Sequence, residues 1–386
     1  MWACLPFKAH QSEWILMKIC HLTSVHPAED IRIFVKECRY LQQSGFDTTL
    51  IVANSDTYTK DGVKIVGVGV NAGNRYLRIL KGPQKVYKKA LEIDADVYHF
   101  HDPELLPIGL MLKRKGKKVI YDVHEDVPEQ VLSKEWIPSF LRQSISKMVK
   151  GIEKFSSKRF DAVVTATPTI NQRFKTYNSN SVSIHNFPIT NELITENLSS
   201  SDQVAHKTAI YIGGITKLRG IEEMVDAMEL VNKVEPIQLT LAGKFSPESL
   251  EEQVKKRNGW KYIDHAGWLS RKEVKEYLGH AFVGLVLLRP EPRYMVSYPI
   301  KLFEYMSAGI PVIASNFPVW KEIIEESQCG ICVDPLNIEE ISEAILWLYR
   351  NPQEAERLGR NGREAILKKY SWENEAARLT DLYHKL

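Results

Sequence analysis

The sequence has little of what would mark a secreted, membrane-spanning or fibrous protein. Its 386 residues include five cysteines, Cys4, Cys20, Cys38, Cys329 and Cys332, an odd number too sparse for a disulfide framework. No apolar run approaches the roughly 20 residues that a spanning helix needs; a run such as Ala281 to Leu288 is short and broken by Gly284. The first 17 residues scatter Lys8, His10 and Glu13 through any would-be leader, so the expected compartment is a reducing cytoplasm, and Met1 to Leu16 reads as an extension upstream of the first strand. Neither sign of charge dominates: 51 basic against 48 acidic residues leave +3, which gives no electrostatic reason to expect nucleic acid as a partner. Internal repeats are absent, and Ser199-Ser200-Ser201 is the one low-complexity run.

What is present is a regular alternation. Strand-length apolar runs at Ile19 to Leu22, Thr48 to Ala53, Val63 to Val68, Val97 to His101, Val119 to Val123 and Ala162 to Ala166 alternate with helical patterns near Ile31 to Ser44, Lys81 to Ile93 and Ser139 to Lys158. Asn186 to Lys207, with Pro188, several Asn and the serine run, suits a connection between domains. A second series follows at Ala209 to Ile212, Gln238 to Ala242, Tyr262 to Ala266, Val283 to Leu288, Val312 to Ala314 and Gly330 to Val333. The predicted fold class is α/β, with two doubly wound, Rossmann-like lobes over residues 17–188 and 189–371, and a last helix over 372–386 that could pack on either. Ligands of such sheets sit beyond the carboxyl ends of the strands, here in the cleft between lobes.

Three patterns are weaker than they look. Gly67-Val68-Gly69-Val70-Asn71-Ala72, with Glu92 beyond it, fits a dinucleotide fingerprint, but the glycines also suit a plain turn. Asp94-Ala95-Asp96 has the spacing of a metal-holding pair, yet acidic residues commonly end a helix before a strand. Cys329-Gly330-Ile331-Cys332 lacks the second pair that a tetrahedral zinc site requires. A stronger signal is Ile212-Gly213-Gly214-Ile215-Thr216-Lys217-Leu218-Arg219-Gly220. Glycines there let backbone amides approach a ligand, the following helix contributes partial positive charge, and Lys217 and Arg219 add full charges, a combination suited to a diphosphate.

The stretch Tyr298-Pro299-Ile300-Lys301-Leu302-Phe303-Glu304-Tyr305-Met306-Ser307-Ala308-Gly309-Ile310-Pro311 resembles the nucleotide-sugar signature of retaining GT-B glycosyltransferases, in particular glycosyltransferase family 4. Gly213-Gly214 with Arg219-Gly220 is similar to that family's phosphate turn. His99-Phe100-His101-Asp102-Pro103 is similar to its H-x-H-x-P segment, and Tyr121-Asp122-Val123-His124-Glu125 to its strand end with a functional histidine. The resemblance implies a GT-B fold, a nucleoside diphosphate sugar as substrate, no cofactor and no metal. It implies transfer with retention to an acceptor hydroxyl, with the departing phosphate taking the acceptor proton, in surface polysaccharide or glycolipid assembly. Donor contacts then fall on Gly213, Gly214, Lys217, Arg219, Ser297, Tyr298, Lys301 and Glu304, whose carboxylate would accept from a ribose diol. Arg219, Lys301 and His124 carry the catalytic roles, and His26, Asp30, Arg32 and His101 the acceptor contacts, with Arg32 read as a cation facing the cleft and Glu125 or Asp126 as partners that orient His124.

This sequence departs from the pattern at two places. Val296 stands where a second glutamate is usual, so the sugar-facing carboxylate is missing, and Gly214 stands where an arginine is usual, a loss that Lys217 or Lys301 could make good. Two other functions share the architecture: a non-hydrolysing nucleotide-sugar epimerase and a non-catalytic nucleotide-sugar binding protein. Finally, Phe140, Leu141, Ile145, Met148, Val149, Ile152 and Phe155 recur at helical spacing among Arg142, Lys147, Lys150, Lys154, Lys158 and Arg159. Such a helix either lies on an anionic bilayer, giving peripheral membrane contact with a saccharide or lipid-linked acceptor, or packs its stripe on the sheet with its charges solvated.

Overall fold

The structure is a computed structural model that describes residues 16–69, 75–134, 137–190, 192–193 and 208–386. Its strands are β1 (Lys18–Thr23), β2 (Asp47–Val52), β3 (Tyr58–Lys60), β4 (Val63–Gly67), β5 (Val97–Phe100), β6 (Lys118–Val123), β7 (Ala162–Thr165) and β8 (Ser181–Ser183), followed by β9 (Thr208–Ile212), β10 (Gln238–Ala242), β11 (Ile263–Gly267), β12 (Val283–Val286), β13 (Val312–Ser315) and β14 (Gly330–Val333). The first eight form one sheet in the order β3-β4-β2-β1-β5-β6-β7-β8, and the last six another in the order β11-β10-β9-β12-β13-β14. Every pairing is parallel except β3 with β4. Near-continuous burial along β1, β2, β5, β6 and β7 is what helices on both faces demand of a parallel strand.

Strand order reverses between β1 and β5 in the first sheet and between β9 and β12 in the second. At these switch points the connections leave for opposite faces and open a crevice beyond the carboxyl ends. The first is bordered by Ser24, His26, His101 and Asp102, the second by Gly213 to Gly220. The short strands β3 and β8, three residues each, carry no alternation for a sequence reading to find. Of the dinucleotide-like turn, Val70, Asn71 and Ala72 lie outside the described residues.

The last helix, Trp372–His384, follows the helices of the second lobe but buries Trp372, Leu379, Leu382 and Tyr383 with Ile19, Val97, Ile120 and Ile184 of the first. Ser371 caps it, and the Trp372 amide donates to the Pro188 carbonyl at 2.8 Å, so chain leaving and chain returning to this lobe meet there. The helix Ser139–Ser157 turns its apolar stripe outward: Phe140 is 78% exposed, Met148 58% and Phe155 52%. Its buried side is polar instead, because Glu153 receives Arg173 Nη1 at 2.7 Å and Tyr121 Oη at 3.4 Å, with Ser156 and Ser157 beside it. An ionisable carboxylate held inside by a guanidinium fixes which face is in.

Removing the wholly buried indole with Trp372→Ala is expected to cost about 3–5 kcal/mol, whereas Phe140→Ser on the exposed stripe should stay within about 0.5 kcal/mol of wild type. Urea midpoints check both; equal shifts would contradict the packing described.

Candidate functional site

In the second lobe, β9 ends at Ile212 and the chain turns through Gly213 (φ 133°) and a single helical turn, Lys217–Arg219, to Gly220 (φ 69°), which opens the helix Ile221–Val231. A Cβ on Gly220 would meet the Leu287 carbonyl oxygen at 2.4 Å, so only glycine closes this turn against β12's end. Arg219 Nη1 donates to the Gly214 carbonyl at 3.2 Å. Lys301 enters from the next helix, Ile300–Ala308, with its Nζ 3.7 Å from the centroid of the Tyr211 ring and against Gly213. That Nζ is buried and has no hydrogen-bond partner among the described residues. Burial first, and then the charge of Arg219, hold Lys301 well below the ordinary lysine range, with Glu304 acting the other way. An ammonium so placed is stabilised by an anion arriving at Gly213. Lys217, by contrast, is exposed and drawn to Glu222 at 3.2 Å.

Glu304 lies one turn beyond Lys301 on the same helix and accepts from Arg271 Nη1 at 2.6 Å, while Arg271 also holds Glu192 through two bonds of 2.8 and 2.9 Å. Arg271 therefore shares the carboxylate expected to receive the ribose. Ser297 gives its carbonyl to Trp320 Nε1 at 2.7 Å within the second lobe, whereas Tyr298 stacks on His185 of the first at 5.2 Å. Val296 is exposed at the missing glutamate's position.

The first lobe gathers His21 from β1, His99 from β5, His101 just past its end, Asp122 from β6 and His124 just past its end. All but His124 are buried. Arg32 and Glu37 join them from the helical segment Ile31–Cys38, whose wide turns show as Val35 N–H reaching the Asp30 carbonyl. Arg32 departs from the expected cleft-facing cation: it is buried, gives Nε and Nη2 to Asp122 at 3.1 and 3.0 Å, and gives Nη1 to the Ile184 carbonyl at 3.0 Å. Asp122 is the reason, since a carboxylate in that interior requires a cation. Burial alone pushes Asp122 up, but Arg32 and His124 hold it well below the usual carboxylate range. His101 is likewise enclosed, between His21 Nδ1 at 2.9 Å and His124 Nε2 at 3.1 Å, and stands behind His124 rather than in the cleft. Asp30 accepts from the Arg32 and Ile33 amides at 2.9 Å as a helix cap and lies 3.5 Å from His26, whose other nitrogen is 3.4 Å from Asp102. His26 thereby sits 5.4 Å, ring to ring, from His124. The carboxylate that orients His124 is Asp122, 3.1 Å from Nε2; Asp126 caps the next helix and takes Arg173, and Glu125 takes Gln130.

The sequence reading missed His21, Glu37, Asp122, Arg271 and Tyr383. Strand alternation held a signal for some of them, because His99 and His101, like Asp122 and His124, are two apart and share a face. Nothing local to Tyr383 or Arg271 pointed to the site.

Models of two families match the chain in succession: "Glycosyltransferase Family 4" over residues 32–188 and "Glycosyl transferases group 1" over residues 198–365. A protein of Mycolicibacterium hassiacum named "MMP alpha-(1->4)-mannosyltransferase" is 26% identical over 170 residues, 44% of this chain and 40% of that one. "Phosphatidyl-myo-inositol mannosyltransferase" of Mycobacterium leprae is 22% identical over 306 residues, 78% of this chain and 76% of that one. Among solved structures, Anabaena HepE in complex with UDP superposes with a TM-score of 0.71 at 14% identity, covering 96% of this chain and all of that one, a likeness of fold. The chain spans less than half the length of several curated relatives that it matches. Two Rossmann-like lobes define the class: the fold is GT-B. The chain belongs to glycosyltransferase family 4.

The histidine cluster should make folding acid-sensitive. Burial holds His21 and His99 well below the ordinary range and lowers His101 to about 4. Below about pH 6.5 the unfolded chain takes up protons that these folded imidazoles refuse, so stability falls with pH. Glu37 opposes this with one proton, because burial and Asp122 hold its folded carboxyl well above the usual range. Net loss is about two protons, or about 2.7 kcal/mol per pH unit between about pH 6 and pH 4.5. Urea midpoints across that window should drop steeply; a flat profile would contradict a neutral cluster.

Proposed function

We propose that the chain transfers a sugar from a nucleoside diphosphate sugar to an acceptor hydroxyl, with retention at the anomeric carbon and without a metal. The observation that carries this reading is the buried, unpartnered Lys301 Nζ beside Arg219 at the Gly213-Gly214 turn. Two cations converge where a diphosphate would gain negative charge on leaving, the kind of preorganised field that stabilises a transition state. Lys301 also supplies a cation at the turn where Gly214 replaces the usual arginine.

The bond from the anomeric carbon to the diphosphate oxygen breaks, and a bond from the same carbon to the acceptor oxygen forms on the same face. The acceptor proton passes to the leaving phosphate oxygen, so no protein nucleophile is needed, and positioning supplies the rest. Glu304 receives the ribose diol, with Arg271 holding one of its oxygens, and His124 contacts the reacting sugar. HepE, whose solved complexes contain UDP and UDP-glucose, supports a nucleotide-sugar donor.

The acceptor side has a surface of its own. Among the described residues no helix is long and apolar enough to cross a membrane, but the exposed apolar stripe of Ser139–Ser157 lies among Lys147, Lys150 and Lys154. Apolar side chains flanked by lysines suit an anionic bilayer, and with it a lipid-linked acceptor in glycolipid or surface polysaccharide assembly.

Arg219→Ala is expected to lower kcat by about 10²–10³-fold. Glu304→Ala should abolish the thermal stabilisation that a nucleoside diphosphate gives wild type, about 2.7 kcal/mol at 100 times its Kd. Turnover left intact by Arg219→Ala, or donor conversion without any acceptor, would overturn the transfer reading. Reversing Lys147, Lys150 and Lys154 to Glu should abolish co-sedimentation with phosphatidylserine vesicles; no sedimentation by wild type would end the membrane assignment.

A further inference from the structure

The buried cluster behind His124 offers one ligand atom each from Glu37, His99, His101 and Asp122, all within 4.8 Å of one another. A metal ion is nonetheless a poor fit. Arg32 already donates to both oxygens of Asp122 and stands 3.1 Å from Glu37 Oε1, so a guanidinium fills the cation's place. The ring nitrogens form a chain instead. His124 Nε2 lies 3.1 Å from His101 Nδ1, His101 Nε2 2.9 Å from His21 Nδ1, His21 Nε2 3.2 Å from Tyr383 Oη, and Tyr383 Oη 2.7 Å from His99 Nδ1.

Each link in such a chain holds one proton, so choosing the direction of one link fixes all the others. Asp122 biases the direction at both ends. At one end its Oδ2 lies 3.1 Å from His124 Nε2 and 3.3 Å from His101 Nδ1, so it accepts from whichever nitrogen carries that link's proton, and the shorter contact favours an N–H on His124. At the other, His99 Nε2 has no hydrogen-bond partner among the described residues and faces Asp122 Oδ2 from 4.0 Å, again a place for N–H. The protons therefore run from His124 to His101, His21, Tyr383 and His99 in turn. His101 Nδ1 is then unprotonated and, with Asp122, gives the His124 N–H two acceptors. Tyr383 is the one link that accepts and donates through a single atom.

We propose that Tyr383, on the last helix, is a positioning residue for His124: acting through His21 and His101, its hydroxyl holds His124 with the proton on Nε2 and Nδ1 unprotonated. The inference rests on the reading of His124 as a contact to the reacting sugar. Without the hydroxyl, His21 Nε2–H loses its acceptor inside the protein, and a buried orphan donor is costly. His21 then moves its proton to Nδ1 and donates to His101 Nε2, and His101 presents Nδ1–H to His124. One of the two acceptors that held the His124 proton becomes a competing donor.

The test is the ring ¹⁵N spectrum of the full chain labelled at histidine, with the His124 signals assigned by their loss in His124→Gln. In wild type His124 should show a protonated Nε2 and an unprotonated Nδ1. In Tyr383→Phe the proton should move toward Nδ1, and kcat should fall about tenfold with the donor KM unchanged. A wild-type His124 protonated on Nδ1 would overturn the proposal without reference to any variant, as would an unaltered tautomer in Tyr383→Phe. Full turnover by His124→Gln would instead sink the sugar contact while leaving the tautomer result standing, so the two failures are distinguishable.

Discussion

Much of the first lobe is arranged around one buried charge. Asp122 sits at the end of a central strand with no access to water, and a carboxylate there must be paired. Arg32 supplies the pair from the helix after β1, and its remaining Nη1 reaches the Ile184 carbonyl just past β8. One guanidinium thus ties together the first helix, the middle of the sheet and its far edge. His124 is oriented by the same carboxylate, so a partly exposed histidine is held by a buried ion pair.

The second lobe does the opposite with its charge. Lys301 Nζ is as buried as Asp122, yet its neighbours are an aromatic face, a glycine turn and a second cation. Folding tolerates such a group by favouring its neutral form. On the proposed function an arriving diphosphate reverses that preference, and binding and protonation become one event. The buried carboxylate of the first lobe is paired and the buried ammonium of the second is not, a contrast that, on the proposed function, divides the work into positioning on one side and charge stabilisation on the other.

The alternation of apolar runs made the two doubly wound lobes legible, because a parallel sheet covered on both faces requires buried strands separated by helices. Glu304, Lys301, Arg219 and the Gly213 turn stand out in the sequence as local motifs, and the structure brings Lys301 and Arg219 together at Gly213. Three things were not legible. Arg32 follows a capping aspartate and reads as a surface cation until its partner, 90 residues away, is known. Tyr383 meets His99 across 284 residues, a distance over which no periodicity carries information. The direction of the Ser139–Ser157 stripe depends on Glu153 pairing with Arg173, a tertiary contact that amphipathicity alone cannot orient.

The central claim, that Lys301 waits for the diphosphate, is tested most directly by calorimetric titration of UDP in buffers of differing ionisation enthalpy at about pH 8. Because burial keeps Lys301 below the ordinary lysine range, binding should draw a proton from the buffer, and Lys301→Met should bind more weakly with no such uptake. Binding of UDP with the same proton balance in wild type and Lys301→Met would contradict the account.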